Sequence, residues 1–127
     1  MTNVKSISTP QTNLKATGHD VSRLSDGHLE KVSSWGEAVS GMSYVYRPST
    51  VDTLQDILIL ARRSGRTVGF RGGGNSYGDA AMNNENILVD LRRLKRILEW
   101  NPATGRIRVE PGVTLAELWQ YVIEDGW

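Results

Sequence analysis

The sequence predicts an α+β fold, and three observations carry that reading. An amphipathic helical stretch, Val51 to Ser64, sits between two short extended segments. A glycine-rich run then leads into a second apolar strand, Ile87-Leu88-Val89-Asp90. Two period-2 segments around a turn come next, and a second amphipathic helix follows them.

Taken in order, residues 1–34 are rich in Ser, Thr, Asn and Gln, with apolar residues at no sustained period, and are expected to form a flexible polar leader. The two histidines, His19 and His28, fall in this leader; with no third imidazole to complete a metal site or act as catalytic base, both are expected to face solvent. Order is expected from Trp35-Gly36, so residues 35–127 are the folded part. Tyr44-Val45-Tyr46-Arg47 has the aromatic and β-branched character of a strand, and Pro48 ends it.

Ser49 or Thr50 can cap the helix that follows. Its apolar residues Leu54, Ile57, Leu58 and Ala61 recur at i, i+3, i+4 and i+7, and Arg62, Arg63 and Gly65 mark its end. Arg66 to Phe70 is extended, so strand, helix and strand are expected to form a parallel crossover. The loop Arg71-Gly72-Gly73-Gly74-Asn75-Ser76-Tyr77-Gly78-Asp79 therefore leaves the carboxyl end of a strand, where open α/β sheets bind ligands. Leu91 to Lys95 is expected to make one helical turn. Arg96 to Trp100 and Arg106 to Glu110 alternate around Asn101-Pro102-Ala103-Thr104-Gly105 and predict an antiparallel hairpin. Thr114 and Glu117 form a capping box, and Leu115, Leu118, Trp119, Val122 and Ile123 are expected to be core. A hairpin and a helix need further strands to cover them, so the chain is expected to be the N-terminal part of a longer one.

Composition narrows the function. The 127 residues fit one domain, and 15 Lys plus Arg against 14 Asp plus Glu leave a charge of +1, far from the basic balance of a phosphate-backbone binder. With no cysteine there is no disulfide, thiolate nucleophile or Cys-based metal site. The longest apolar run, Ile57 to Ala61, is far short of the roughly 20 residues of a membrane span. No apolar signal segment opens the chain, and a cytoplasmic location is expected. The cluster Arg92, Arg93, Lys95 and Arg96 lacks interleaved aromatics and reads as a solvated face rather than a nucleic-acid site.

The glycine run is the segment that can carry chemistry. Without Cβ atoms its backbone N–H groups can cradle phosphate oxygens, and a tight structural turn is the alternative. No Lys-Ser or Lys-Thr follows it, which excludes a P-loop. A Rossmann fingerprint fails because the third required glycine falls on Tyr77 and a strand, not a helix, comes next. Gly74-Asn75-Ser76-Tyr77-Gly78 also satisfies the G-x-S-x-G pattern, making a serine esterase with Ser76 as nucleophile a rival; that class needs a histidine after the serine, and both histidines precede it. Asp79 and Asp90 flank loops where Asp bonds backbone N–H groups, and neither is assigned a catalytic role.

Arg47-Pro-Ser-Thr50, Arg71 to Asp79, Ile87 to Asp90 and Glu110-Pro-Gly-Val-Thr-Leu-Ala-Glu-Leu118 together resemble the PCMH-type FAD-binding domain of the vanillyl-alcohol oxidase/p-cresol methylhydroxylase family, from about Trp35 to Trp127. The Arg-Gly-x-Gly-x-Ser-Tyr-Gly-Asp form is most similar to the branch with decaprenylphosphoryl ribose oxidase, and sugar-lactone and alditol oxidases are more distant relatives. The resemblance implies a first β-α-β subdomain with the glycine loop and the start of a second, here incomplete. It also implies that Arg71, Gly72, Gly73, Gly74, Asn75, Ser76, Tyr77, Gly78 and Asp79 wrap the FAD pyrophosphate, with Tyr77 facing the flavin or the substrate. Sugar-lactone oxidases often carry a flavin-linked histidine where this chain has Asn75, so non-covalent FAD is expected. The implied activity is hydride transfer to flavin from a hydroxyl-bearing carbon of a sugar or polyol, with an electron acceptor of unassigned identity and no metal. The catalytic base is expected outside these residues. A non-catalytic nucleotide-binding or interaction module is the alternative from another class.

Overall fold

The computed structural model describes residues 24–127. Strands β1 (Leu29–Ser33) and β2 (Ser40–Tyr46) form an antiparallel hairpin. Helix α1 (Val51–Ser64) leads to β3 (Val68–Arg71), and a long loop leads to β4 (Ile87–Asp90). The sheet order is β1-β2-β4-β3, with β2, β4 and β3 parallel. The crossover thus leaves a gap between its two strands, and the later β4 fills it.

Helix α1 forms where its caps and spacing place it. The Thr50 side chain accepts from the Thr53 N–H at 3.1 Å, Asp52 lies in the first turn, and Arg62 and Arg63 complement the dipole at the other end. Gly65 closes the helix at φ 63°, a left-handed conformation that costs glycine little. Ile57 and Ala61 are buried against Ile87 and Val89 of β4. All four residues of β4 are buried, as expected of a central parallel strand covered on both faces. Each of its large aliphatic side chains contributes about 1.5–3 kcal/mol by leaving water.

On the face opposite α1, the returning end of the segment between β3 and β4 packs through Asn83. Ser43 Oγ donates to Asn83 O at 3.0 Å, and Asn83 Nδ2 donates to Thr67 O and Ile87 O. The Asn83 side chain lies against Gly69, where a Cβ would meet it at 2.9 Å. The glycine loop therefore leaves the carboxyl end of β3 and turns back across the sheet.

Two corrections concern the leader. Residues 1–23, including His19, lie outside the described residues, but Leu29–Ser33 is a strand rather than polar coil, because β2 supplies a pairing edge and Arg47 forks onto Glu30 with both bonds at 2.7 Å. His28 is half-buried, stacked on Tyr46 at 4.1 Å, with Nδ1 bonded to Val45 O; it is a packing residue, not a solvent-facing one.

Beyond β4, the Leu94 N–H bonds Leu91 O in a single non-helical turn where a helical turn was expected. Strands β5 (Ile97–Asn101) and β6 (Arg106–Val109) form the expected hairpin, with a register shift between Ile97 and Glu99. Helix α2 (Leu115–Val122) begins with the full capping box of Thr114 and Glu117. Its apolar residues were expected to be core, yet only Val122 is buried and Leu118 is half-buried. Leu115, Trp119 and Ile123 are 84%, 57% and 43% exposed, because no element among the described residues lies over them.

Candidate functional site

Of the residues Arg71 to Asp79, Arg71 ends β3 in register with Asp90, and Gly72 to Asp79 continue from it as one loop. Gly72 is half-buried and Gly74 buried, whereas Gly73 and Asn75 through Asp79 are exposed. Among the described residues, no protein group accepts a hydrogen bond from the backbone N–H of any residue from Gly72 to Gly78. Backbone donors are normally satisfied, so a run without protein acceptors, most of it on exposed residues, is suited to water or to an anion.

Arg71 turns its guanidinium back into the protein. Nη1 donates to Ala81 O and Nη2 to Ser33 O, each at 3.1 Å. Gly74 adopts φ +76°, and a Cβ there would overlap this guanidinium, so both its conformation and its lack of a side chain are required. The bond to Ser33 brings the β1–β2 turn to the loop. Trp35 of that turn meets Tyr77 edge to face, with ring centroids 5.3 Å apart at 83°. Tyr77 is 80% exposed and Trp35 54% exposed. Sequence reasoning missed Ser33, Trp35 and Ala81 as neighbours of the loop; a strand recognised at Leu29–Ser33 would have placed Ser33 at its end and Trp35 in the turn after it.

At the carboxyl ends of β2 and β4 a chain of charges braces the fold. Asp90 accepts the Arg92 guanidinium at 2.6 Å and its N–H at 3.1 Å, and Arg47 Nε lies 3.4 Å away. Burial pushes the Asp90 carboxyl up, but the Arg92 hydrogen bonds and the charges of Arg92 and Arg47 together hold it below the usual carboxylate range. Glu110 is likewise lowered by the Arg96 guanidinium and then by the Arg96 N–H. Arg92, Lys95 and Arg96 each face a carboxylate of their own and remain exposed.

Ser76 Oγ bonds no imidazole among the described residues; His28 is engaged with Tyr46 and Val45 instead. His28 lines a separate cleft of about 350 Å³ between β2 and α1 that Thr53 and Asp56 also line; His28 Nδ1 bonds Val45 O and Thr53 Oγ1 bonds Thr50 Oγ1, not each other. Among the described residues no group of His, Asp and Glu is arranged to hold a metal, and no helix is long and apolar enough to cross a membrane.

The chain spans about a fifth of the length of the curated relatives it matches. It is 33% identical over 87 residues to an L-gulono-1,4-lactone dehydrogenase of Mycobacterium tuberculosis, covering 68% of this chain and 20% of that protein. It is 29% identical over 98 residues to a decaprenylphosphoryl-beta-D-ribose oxidase of Mycolicibacterium smegmatis, covering 76% and 21%. Among solved structures, a xylooligosaccharide oxidase of Myceliophthora thermophila superposes with a TM-score of 0.65 at 20% identity, over 88% of this chain and 23% of that one. Substrate-bound p-cresol methylhydroxylase superposes with a TM-score of 0.57 at 21% identity, over 67% and 17%. The family model described as an FAD binding domain matches residues 42–127, a span that holds the whole glycine loop. With open N–H donors in that loop and the PCMH-type fold around it, the chain belongs to the FAD binding domain family.

Proposed function

We propose that the polypeptide is an FAD-dependent oxidoreductase that oxidises a hydroxyl-bearing carbon of a sugar or polyol, and that the Arg71 to Asp79 segment forms the FAD pyrophosphate site, the backbone of Gly72 to Asp79 holding the phosphates and the Arg71 side chain turned inward. The observation that carries the reading is the run of backbone N–H groups from Gly72 to Gly78 with no acceptor among the described residues. Such a run neutralises two linked phosphates with oriented dipoles and needs no lysine. Bound FAD supplies the hydride acceptor, while the protein binds and orients it. Tyr77, exposed beside the loop, faces the flavin ring or the substrate. Asn75 stands where a nucleophilic histidine would be needed for covalent attachment, so the cofactor is held without a bond from this position. The sugar or polyol class is supported by the relatives, whose names specify a sugar lactone, a ribose derivative and a xylooligosaccharide.

The test is purification of the complete gene product. Flavin absorbance that copurifies, and that acid precipitation releases fully into the supernatant, is the expected result. A panel of sugar lactones, aldoses and sugar alcohols then reports which of them bleaches the flavin. A product that binds neither FAD nor a flavin analogue overturns the reading in favour of an inert module.

A further inference from the structure

We propose that Arg71 is the positioning residue of the glycine loop, acting by clamping the loop to the β1–β2 turn rather than by touching the cofactor. The inference rests on the reading that this loop holds FAD. Three observations assign the role. The guanidinium donates to two carbonyls, Ser33 O at the end of β1, where the β1–β2 turn begins, and Ala81 O beyond the loop, both at 3.1 Å. The Gly74 α-carbon lies against the same guanidinium, so the loop is wrapped around the side chain. The same two segments meet a second time, because Trp35 of the turn and Tyr77 of the loop pack edge to face at 5.3 Å.

A planar fork with fixed donor directions can bridge two carbonyls at once, whereas a lysine ammonium cannot reproduce that geometry. A residue that served only as positive charge near phosphate would be replaced well by lysine. The two roles therefore separate in one substitution. Arg71→Lys keeps the charge and loses the fork, and Arg71→Ala loses both.

The experiment uses the complete gene product labelled with 5-fluorotryptophan, the Trp35 resonance being assigned with Trp35→Phe. Affinity for FAD is measured by flavin fluorescence. In Arg71→Lys the ligand-free Trp35 resonance is expected to shift in the direction given by Tyr77→Leu, and FAD affinity to fall about tenfold, the scale set by losing a charge-assisted hydrogen bond. Arg71→Ala is expected to behave similarly, with methylguanidinium restoring both resonance and affinity. Wild-type FAD affinity in Arg71→Lys overturns the proposal, since charge alone then suffices. A loss of affinity with an unmoved Trp35 resonance also overturns it, since Arg71 is then a direct ligand. If the wild-type protein binds no FAD, the functional reading fails; the clamp is then judged by the ligand-free resonance alone, and an unmoved signal overturns it.

Discussion

Helices α1 and α2 carry the same kind of amphipathic pattern and meet opposite fates. In α1 the expected face is Leu54, Ile57, Leu58 and Ala61. Ile57 and Ala61 are buried on β4 and Leu54 is half-buried, whereas Leu58 is 41% exposed, a correction to that expectation, because it lies at the rim of the helix–sheet contact. In α2, of Leu115, Leu118, Trp119, Val122 and Ile123, Val122 is buried and Leu118 half-buried while Leu115, Trp119 and Ile123 stay exposed, although the capping box is complete. The hairpin holds the segment just after α2, through Trp100 Nε1 to Asp125 at 2.6 Å, Trp127 Nε1 to Pro102 O at 2.9 Å and the edge-to-face pair of Trp100 and Trp127. Periodicity thus states which face a helix would bury. It does not state that a partner is at hand.

Three substitutions sharpen that contrast. The largest effect is expected from Ile87→Ala, which empties a fully buried site between β4 and α1 and should cost about 3–4 kcal/mol in urea unfolding. A cost below about 1 kcal/mol, the range of exposed sites, would mean that the sheet–helix unit is not where stability resides. Next comes Asp90→Ala, expected to cost about 2 kcal/mol at neutral pH by removing charge-assisted bonds to Arg92 and the attraction of Arg47. Because the folded carboxyl titrates below its unfolded value, this stability is present above about pH 4 and is lost as pH falls through the folded value. The gap in melting temperature between wild type and Asp90→Ala should therefore narrow on acidification below that point; a constant gap would assign the loss to packing. The smallest effect is expected from Leu115→Ser in the 127-residue chain, within about 0.5 kcal/mol, as for other exposed positions. A cost like that of Ile87→Ala would show that α2 is covered after all.

Much of the fold was legible because its signals are local. Thr50, the i, i+3, i+4, i+7 repeat and Gly65 delimit α1, and Thr114 with Glu117 starts α2. The hairpin followed from alternation around a turn. What escaped was non-local. Strand β1 reads as polar coil because its residues gain order from pairing with β2 and from the Arg47 fork onto Glu30, neither of which has a signature in Leu29–Ser33 itself. The insertion of β4 between β2 and β3 has no local signal either. At the site, the glycines announced the open backbone, but the inward turn of Arg71 and the approach of Trp35 depend on that unseen hairpin.

The order of strands in space carries a consequence for how the molecule assembles. Since β4 comes after the loop yet occupies the middle of the parallel strands, the polypeptide must travel out and return before the sheet is continuous. Closing that excursion costs chain entropy that only the arrival of Ile87 to Asp90 repays. A dinucleotide that binds the loop only in the folded chain would then favour the continuous sheet by mass action, making ligand and central strand joint guarantors of the native topology.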